Sequence, residues 1–146
     1  MADVNELTGA NKFVYQKAHG NATIAARVAT RLYEDGNQPE SGPYPLIVWS
    51  WISERDSEGL GEVRLLANPI LQIKLITKGK PTADDNTVAN TIDDVFQHIS
   101  TEAFEGYVYT SRRRIPLRFP ERGKNSSEVF FHVGGQYRMH IHPVSS

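Results

Sequence analysis

The chain has no cysteine. That excludes disulfides, thiolate nucleophiles and cysteine-bound metals, and it leaves the redox compartment unmarked. It also has no excess of either charge: 16 basic and 17 acidic side chains leave a net charge of −1. No global basic field exists to attract nucleic acid, so sequence-specific nucleic-acid binding is not expected. No apolar run approaches the ~20 residues needed to span a bilayer, and no membrane partner is expected. The first residues, Met1 to Glu6, are acidic and lack the basic and apolar regions of a secretory signal, so the expectation is a protein made and kept, or assembled, in the cytosol. There is no internal repeat and no low-complexity tract. No P-loop, GxGxxG, HExxH or nucleophile elbow occurs, so neither a cofactor nor a catalytic residue is indicated.

What is present is an ordinary globular composition, 39% hydrophobic and 23% charged over 146 residues. That length predicts one domain, residues 1–146. Residues 4–19 place Leu7, Ala10, Val14 and Ala18 on one helical face, with Gly20 as a stop. Asn21 is placed to cap a second short helix reaching Thr30. Arg31 to Glu34 reads as a short extended piece, followed by a loop rich in Gly, Pro and Asn.

The unit at the centre runs from Gly42 to Gly79. Tyr44–Ile52 is the strongest strand, apolar on both faces, which predicts cover on both sides: the domain's own helices on one, and on the other a place for a neighbouring subunit. Ser53–Glu62 is a polar, charged connection, and Val63–Ala67 restarts a strand before the break at Asn68-Pro69. Ile70–Thr77 alternates, with Leu71, Ile73 and Leu75 toward the core. Thr82–Ile99 is a helix with one apolar stripe (Val88, Ile92, Val95, Phe96, Ile99), a capping-box start at Thr82 and Asp85, and His98 in its last turn.

Two late segments complete the sheet. Gly106–Arg118 is extended, and Pro116 with the Arg112-Arg113-Arg114 run marks it as an edge. Phe119–Ser127 reads as a polar loop. Glu128–His142 reads as a hairpin turning at Gly134-Gly135. A two-residue turn, which the Gly-Gly pair favours, would oppose His132 to Tyr137 and send His140 and His142 to the other face. A three-residue turn, which the hydrophobic pattern favours, gathers Val129, Phe131, Val133, Tyr137, Met139 and Ile141 on one face and leaves Phe130, His132, Arg138, His140 and His142 on the other. The fold class expected is α+β: a mainly antiparallel sheet, a long helix packed on one face, an N-terminal helix and extended loops.

Four groups are candidates for chemistry. His140 and His142 share a strand face, and the hairpin would bring His132 within roughly 7–8 Å as a diagonal neighbour. That is the one metal-like constellation, and it supports a small metal-dependent hydrolase as the reading from a different class. Surface or interface histidines without metal remain the plainer alternative. Arg112, Arg113 and Arg114 suit a solvated edge or a salt-bridging subunit contact better than a phosphate site, because alternation leaves only Arg112 and Arg114 on one face. Asp84-Asp85 and Asp93-Asp94 suit capping and a solvated helix face, since adjacent helical residues do not face each other. Trp49 and Trp51 share a strand face and suit core packing or an interface anchor.

The order of Arg31-Leu32-Tyr33, Gly42-Pro43-Tyr44-Pro45-Leu46-Ile47-Val48, Ile70 to Gly79, the helix Thr87–Ile99 and the closing strand Gly135 to Ile141 resembles the tail-completion or tail-terminator proteins of tailed bacteriophages. The resemblance spans most of the chain outside Ser53–Glu62 and Phe119–Ser127. It implies a structural virion protein without enzymatic activity, located in the tail or neck and assembled in the cytoplasm of a bacterial host. It further implies a homohexameric ring at the head-proximal end of the tail tube, with the tail tube protein and the head–tail connector or head-closure protein as partners. A head-closure ring of the neck is the neighbouring reading. Within such a ring, the candidates for the subunit interface are Trp49, Trp51, Arg112, Arg113, Arg114 and Arg138.

Overall fold

The structure, a computed structural model, describes residues 4–39, 42–52, 69–123 and 128–144. The expected strand at Val63–Ala67 and the loop Ser53–Glu62 lie outside the described residues. In chain order the elements are α1 (Val4–His19), α2 (Ala22–Val28), β1 (Leu32–Glu34), β2 (Leu46–Ile52), β3 (Ile70–Lys78), α3 (Ala83–Phe96), β4 (Glu102–Phe104), β5 (Tyr107–Arg122) and β6 (Val129–Pro143). They form a sheet of six strands among the described residues, in the order β1-β2-β3-β6-β5-β4. Only β1 and β2 run parallel. This is the expected α+β class.

The helices form where the sequence places them. Ala10, Phe13, Val14 and Ala18 are buried at spacings of three and four along α1. Asn21 Oδ1 accepts the backbone N–H groups of Thr23 and Ile24 at 3.0 and 3.2 Å and so caps α2. At α3 the capping box is complete: Thr82 Oγ1 accepts from Asp85 N at 3.1 Å, and Asp85 Oδ2 accepts from Thr82 N at 3.0 Å. Asp85 also takes the Arg27 Nε–H at 2.9 Å, tying α2 to α3. Burial alone would raise the Asp85 pKa, but the hydrogen bond from the Thr82 backbone and the nearby Arg27 bring it below the ordinary carboxylate value. The helix closes at Phe96 with Gln97 as its C-cap, so His98 lies beyond the last turn.

One face of the sheet carries the main core. Ile47 and Trp49 from β2, Leu71, Ile73 and Leu75 from β3, Tyr137, Met139 and Ile141 from β6 and Tyr109 from β5 pack with α1 and α3. Phe13 stacks on Tyr109 with ring centroids 4.0 Å apart. The other face has a smaller cluster of Leu46, Val48 and Ile76, flanked by Tyr33, Tyr44 and Phe130. The two-sided apolar character of β2 therefore has two covers, helices on one side and a patch of aromatic side chains on the other.

Three expectations are corrected. First, Glu128–His142 is no hairpin. β6 is one continuous strand of 15 residues, with Gly134 and Gly135 in its interior. These glycines face Lys74 and Ile73 of β3 and Leu117 and Pro116 of β5. A Cβ at Gly134 would lie 2.0 Å from the Ile73 carbonyl oxygen, so the glycine serves close backbone approach rather than a turn. The face partition survives because alternation along one strand gives the same odd and even sets. Second, Phe119–Arg122 is strand, paired with Val129–His132, and not loop. Third, a bulge between Ser111 and Arg113 leaves Arg112 without a cross-strand partner, so simple alternation through the arginine run does not hold. β4 was not expected. It returns on β5 through Glu105 and Gly106, both at positive φ (48° and 89°), the pattern of a tight hairpin turn.

Candidate assembly surface

Register assembles the outer face row by row. Ser50, Gln72, Gln136 and Ile115 stand side by side across β2, β3, β6 and β5; the next rows are Val48, Lys74, Gly134 and Leu117, then Leu46, Ile76, His132 and Phe119. Gln136 Nε2 donates to Gln72 Oε1 at 2.8 Å. Because Gly134 has no side chain, Lys74 reaches across it and sits over the Phe119 ring, 5.5 Å from the centroid. Phe119 in turn stacks on His132, with centroids 4.6 Å apart. On β5 the same face leaves Ile115 52% exposed and Phe119 40% exposed.

β5 pairs with β6 from Tyr107 to Arg122 and forms the long edge strand of the sheet, here called the arm. Its root is fixed: Ser111 Oγ donates to the Phe96 carbonyl and accepts the Ile99 N–H, both at 2.7 Å. Beyond the root, β4 covers only Tyr107–Tyr109, so from Thr110 onward the outer edge of β5 has no strand beside it among the described residues. Arg112 and Arg118 are exposed there. Arg113 stands in register opposite Arg138, and Arg114 opposite Tyr137.

His132 is buried in this face. Its Nε2 lies 2.6 Å from Glu121 Oε1, while its Nδ1 is buried without a hydrogen-bond partner among the described residues. A proton on Nε2 is donated to Glu121, and neutral Nδ1 is then a lone pair; adding a second proton would bury an unmatched donor. Burial first, and then the positive charge of Lys74, push the His132 pKa below its ordinary value of 6.5, with Glu121 and Asp35 opposing. Above pH 6.5 the neutral ring contributes fully to stability. As pH falls from there toward the depressed folded value, the unfolded chain binds a proton the fold refuses, and stability is lost. Tm should therefore fall more between pH 7 and pH 5.5 in the natural protein than in His132→Phe, measured by circular dichroism. Equal losses would remove His132 from the account.

The hydrolase reading loses its geometry here. A continuous β6 places His132 and His140 eight residues apart, which is roughly 26 Å of extended chain. His140 and His142 are exposed opposite Thr110 and Val108. Among the described residues no group of three or more His, Cys, Asp or Glu could hold a metal ion. An open hollow of about 490 Å3 lies beside His132, lined also by Gln38, Tyr44, Phe130, Glu121 and Glu128. Its carboxylates already have partners: Glu121 holds His132 and Glu128 holds Lys78 at 3.2 Å.

Trp49 and Trp51 lie on the helix side of the sheet. Trp49 is 4% exposed in the main core, and Trp51 packs against its margin. Both indole N–H groups donate to one acceptor, Asn11 Oδ1 of α1, at 2.9 and 2.7 Å. Sequence reasoning missed Asn11. The signal was its position four residues after Leu7 and three before Val14, on the buried stripe of α1, where a polar side chain needs a partner.

No protein-family model matches the chain. No curated protein matches it in sequence. Among solved structures, a chain from a structure described as the virion of a native gene transfer agent (GTA) particle is similar. Its TM-score is 0.54 and its identity 16%, and the match covers 94% of this chain and 99% of that one. The shared feature is the fold. Nearly the whole of each chain takes part in the match. No helix among the described residues is long and apolar enough to cross a membrane.

Proposed function

We propose that this chain is a structural, non-enzymatic virion protein of a phage-like particle, and that it closes the head-proximal end of the tail tube as a homohexameric ring that meets the head connector. The observation that carries this reading is the end-to-end fold likeness to a chain of a gene transfer agent virion. The open arm supports it. A ring of identical copies needs two different, complementary surfaces on each copy. The β5 arm, with its unpaired edge, exposed apolar stripe and exposed arginines, is suited to be one of them. Of the interface candidates, Arg112 is the one best placed to act: it is exposed, bulged out of the ladder and has no ion-pair partner among the described residues. Arg113 and Arg138 are proposed to act through the same arm, as is Arg114. Trp49 and Trp51 would contribute through the surface of α1 that they support.

Location and role are tested together in particles that carry this protein. Gold-labelled antibody against the chain should decorate the head–tail junction. Particles made without the protein should carry tails of uncontrolled length. Normal-length tails detached from heads would instead favour a head-closure ring, and label spread along the tail or over the capsid would contradict both. For the assembled ring, Arg112→Glu should shift the population toward smaller species at moderate salt, read by sedimentation velocity. An unchanged distribution would count against the arm as a subunit contact.

A further inference from the structure

The second half of the contact is legible in charge. Five arginines lie on β5 (Arg112, Arg113, Arg114, Arg118, Arg122) with a single acid, Glu121, which holds His132. At the opposite end of the sheet, the stretch from Leu32 to Pro39 carries Glu34 and Asp35 and no base. The nearest base along the chain, Arg31, is turned inward, donating to the Pro45 and Arg27 carbonyls at 2.9 Å each. Glu34 makes no ion pair among the described residues; the Asp35 carboxylate accepts from Gln38 at 3.4 Å and acts on His132 only through its field.

We infer that the β5 arm of one copy docks on the acidic β1 end, Glu34 and Asp35, of the next copy. The inference rests on the ring reading and supplies its missing surface. Two arms cannot pair with each other, because that would set like charges opposite one another. Nor is a long backbone ladder the means. Pro116 and Pro120 fall in the same alternate set of β5, so both remove donors from one side of the strand, and sheets tolerate proline where that side faces outward. Side chains therefore carry the contact: Ile115 and Phe119 supply apolar area, and Arg112 and Arg118 supply charge. Since β1 is one edge of the sheet and β5, beyond the short stretch β4 covers, is the other, each copy offers both halves, and the contact repeats in one direction around a ring.

The absence of cysteine allows a clean test. Asn37→Cys places a thiol beside the acidic end, and Ile115→Cys places one on the arm; both sites are exposed and uncharged. With a short bismaleimide crosslinker, a mixture of the two variants should give a heterodimer that neither gives alone. The product should be lost when the arm variant also carries Arg118→Glu. It should return when the other variant also carries Glu34→Arg and Asp35→Arg. A missing heterodimer, or a dominant Ile115→Cys homodimer, overturns the inference. The double variant Asn37→Cys/Ile115→Cys separates this from the ring itself. A crosslinked ladder that ends at a number other than the hexamer keeps the contact and removes the hexamer. Rings in negative stain without a ladder keep the ring and remove the contact.

Discussion

Gly134→Ala is expected to leave little or no folded protein. The added Cβ would lie 2.0 Å from the Ile73 carbonyl oxygen, 2.8 Å from Lys74 Cα and 2.9 Å from the Ile73 carbonyl carbon. All three are backbone atoms of β3, the neighbour of β6 in the centre of the sheet, so no rotamer change relieves the clash. Relief requires parting β3 from β6, which breaks the ladder that joins the arm to the body. The expected loss is ~4 kcal/mol or more, at the diagnostic end of single substitutions and comparable with the total stability of many domains. Soluble yield and urea unfolding measure it. Gly135→Ala is the internal comparison, because its Cβ would first meet the end of the Tyr137 side chain, at 2.7 Å from the hydroxyl oxygen. Its loss should be clearly smaller. Equal stability of Gly134→Ala and the natural protein would show that β6 does not run through this position as described.

Phe96→Ala should be the costliest of the simple core truncations at the arm's root. Phe96 is fully buried, and its ring lies 6.2 Å from that of Tyr137 on β6. Its carbonyl holds Ser111, which in turn holds Ile99. The residue thus sits where α3, β5 and β6 meet, and removing the ring leaves a cavity that a helix end and two strands cannot jointly collapse into. A cost of about 3–5 kcal/mol follows from comparable truncations, a drop in Tm on the order of 10 °C for a chain of this size. Thermal unfolding by circular dichroism reads it. Phe119→Ala is the contrast: at 40% exposure its loss should weigh little on Tm and fall instead on assembly. A Phe96→Ala protein as stable as the natural one would mean the arm is rooted elsewhere.

The parts of the fold visible in the sequence are those governed by local period. α1, α2, β2, β3 and α3 follow from spacing, caps and alternation, and each appears within a few residues of its expected span. β6 was misjudged because Gly-Gly is a turn signal locally, and only the approach of Ile73 from another strand explains it otherwise. The grouping of Val133, Tyr137, Met139 and Ile141 on the buried side was still right, since parity does not depend on whether the chain turns. The same error created the histidine constellation, and the straight strand dissolved it. The bulge at Arg112 and the strand character of Phe119–Arg122 depend on pairing with β6 and have no local signature. Glu121, which holds His132, was missed for that reason, since the polar stretch Phe119–Ser127 read as loop. The surface that matters for assembly was legible only as a run of arginines; the acidic end that complements it became visible once the strand order placed β1 and β5 at opposite sides of one sheet.

The mass of the purified protein by light scattering, with negative-stain images of the same sample, tests the central claim most directly. Closed rings with the mass of a hexamer are expected, at low to moderate salt and in the presence of a chelator. A monodisperse monomer that forms no rings at any concentration or at low salt would contradict the claim.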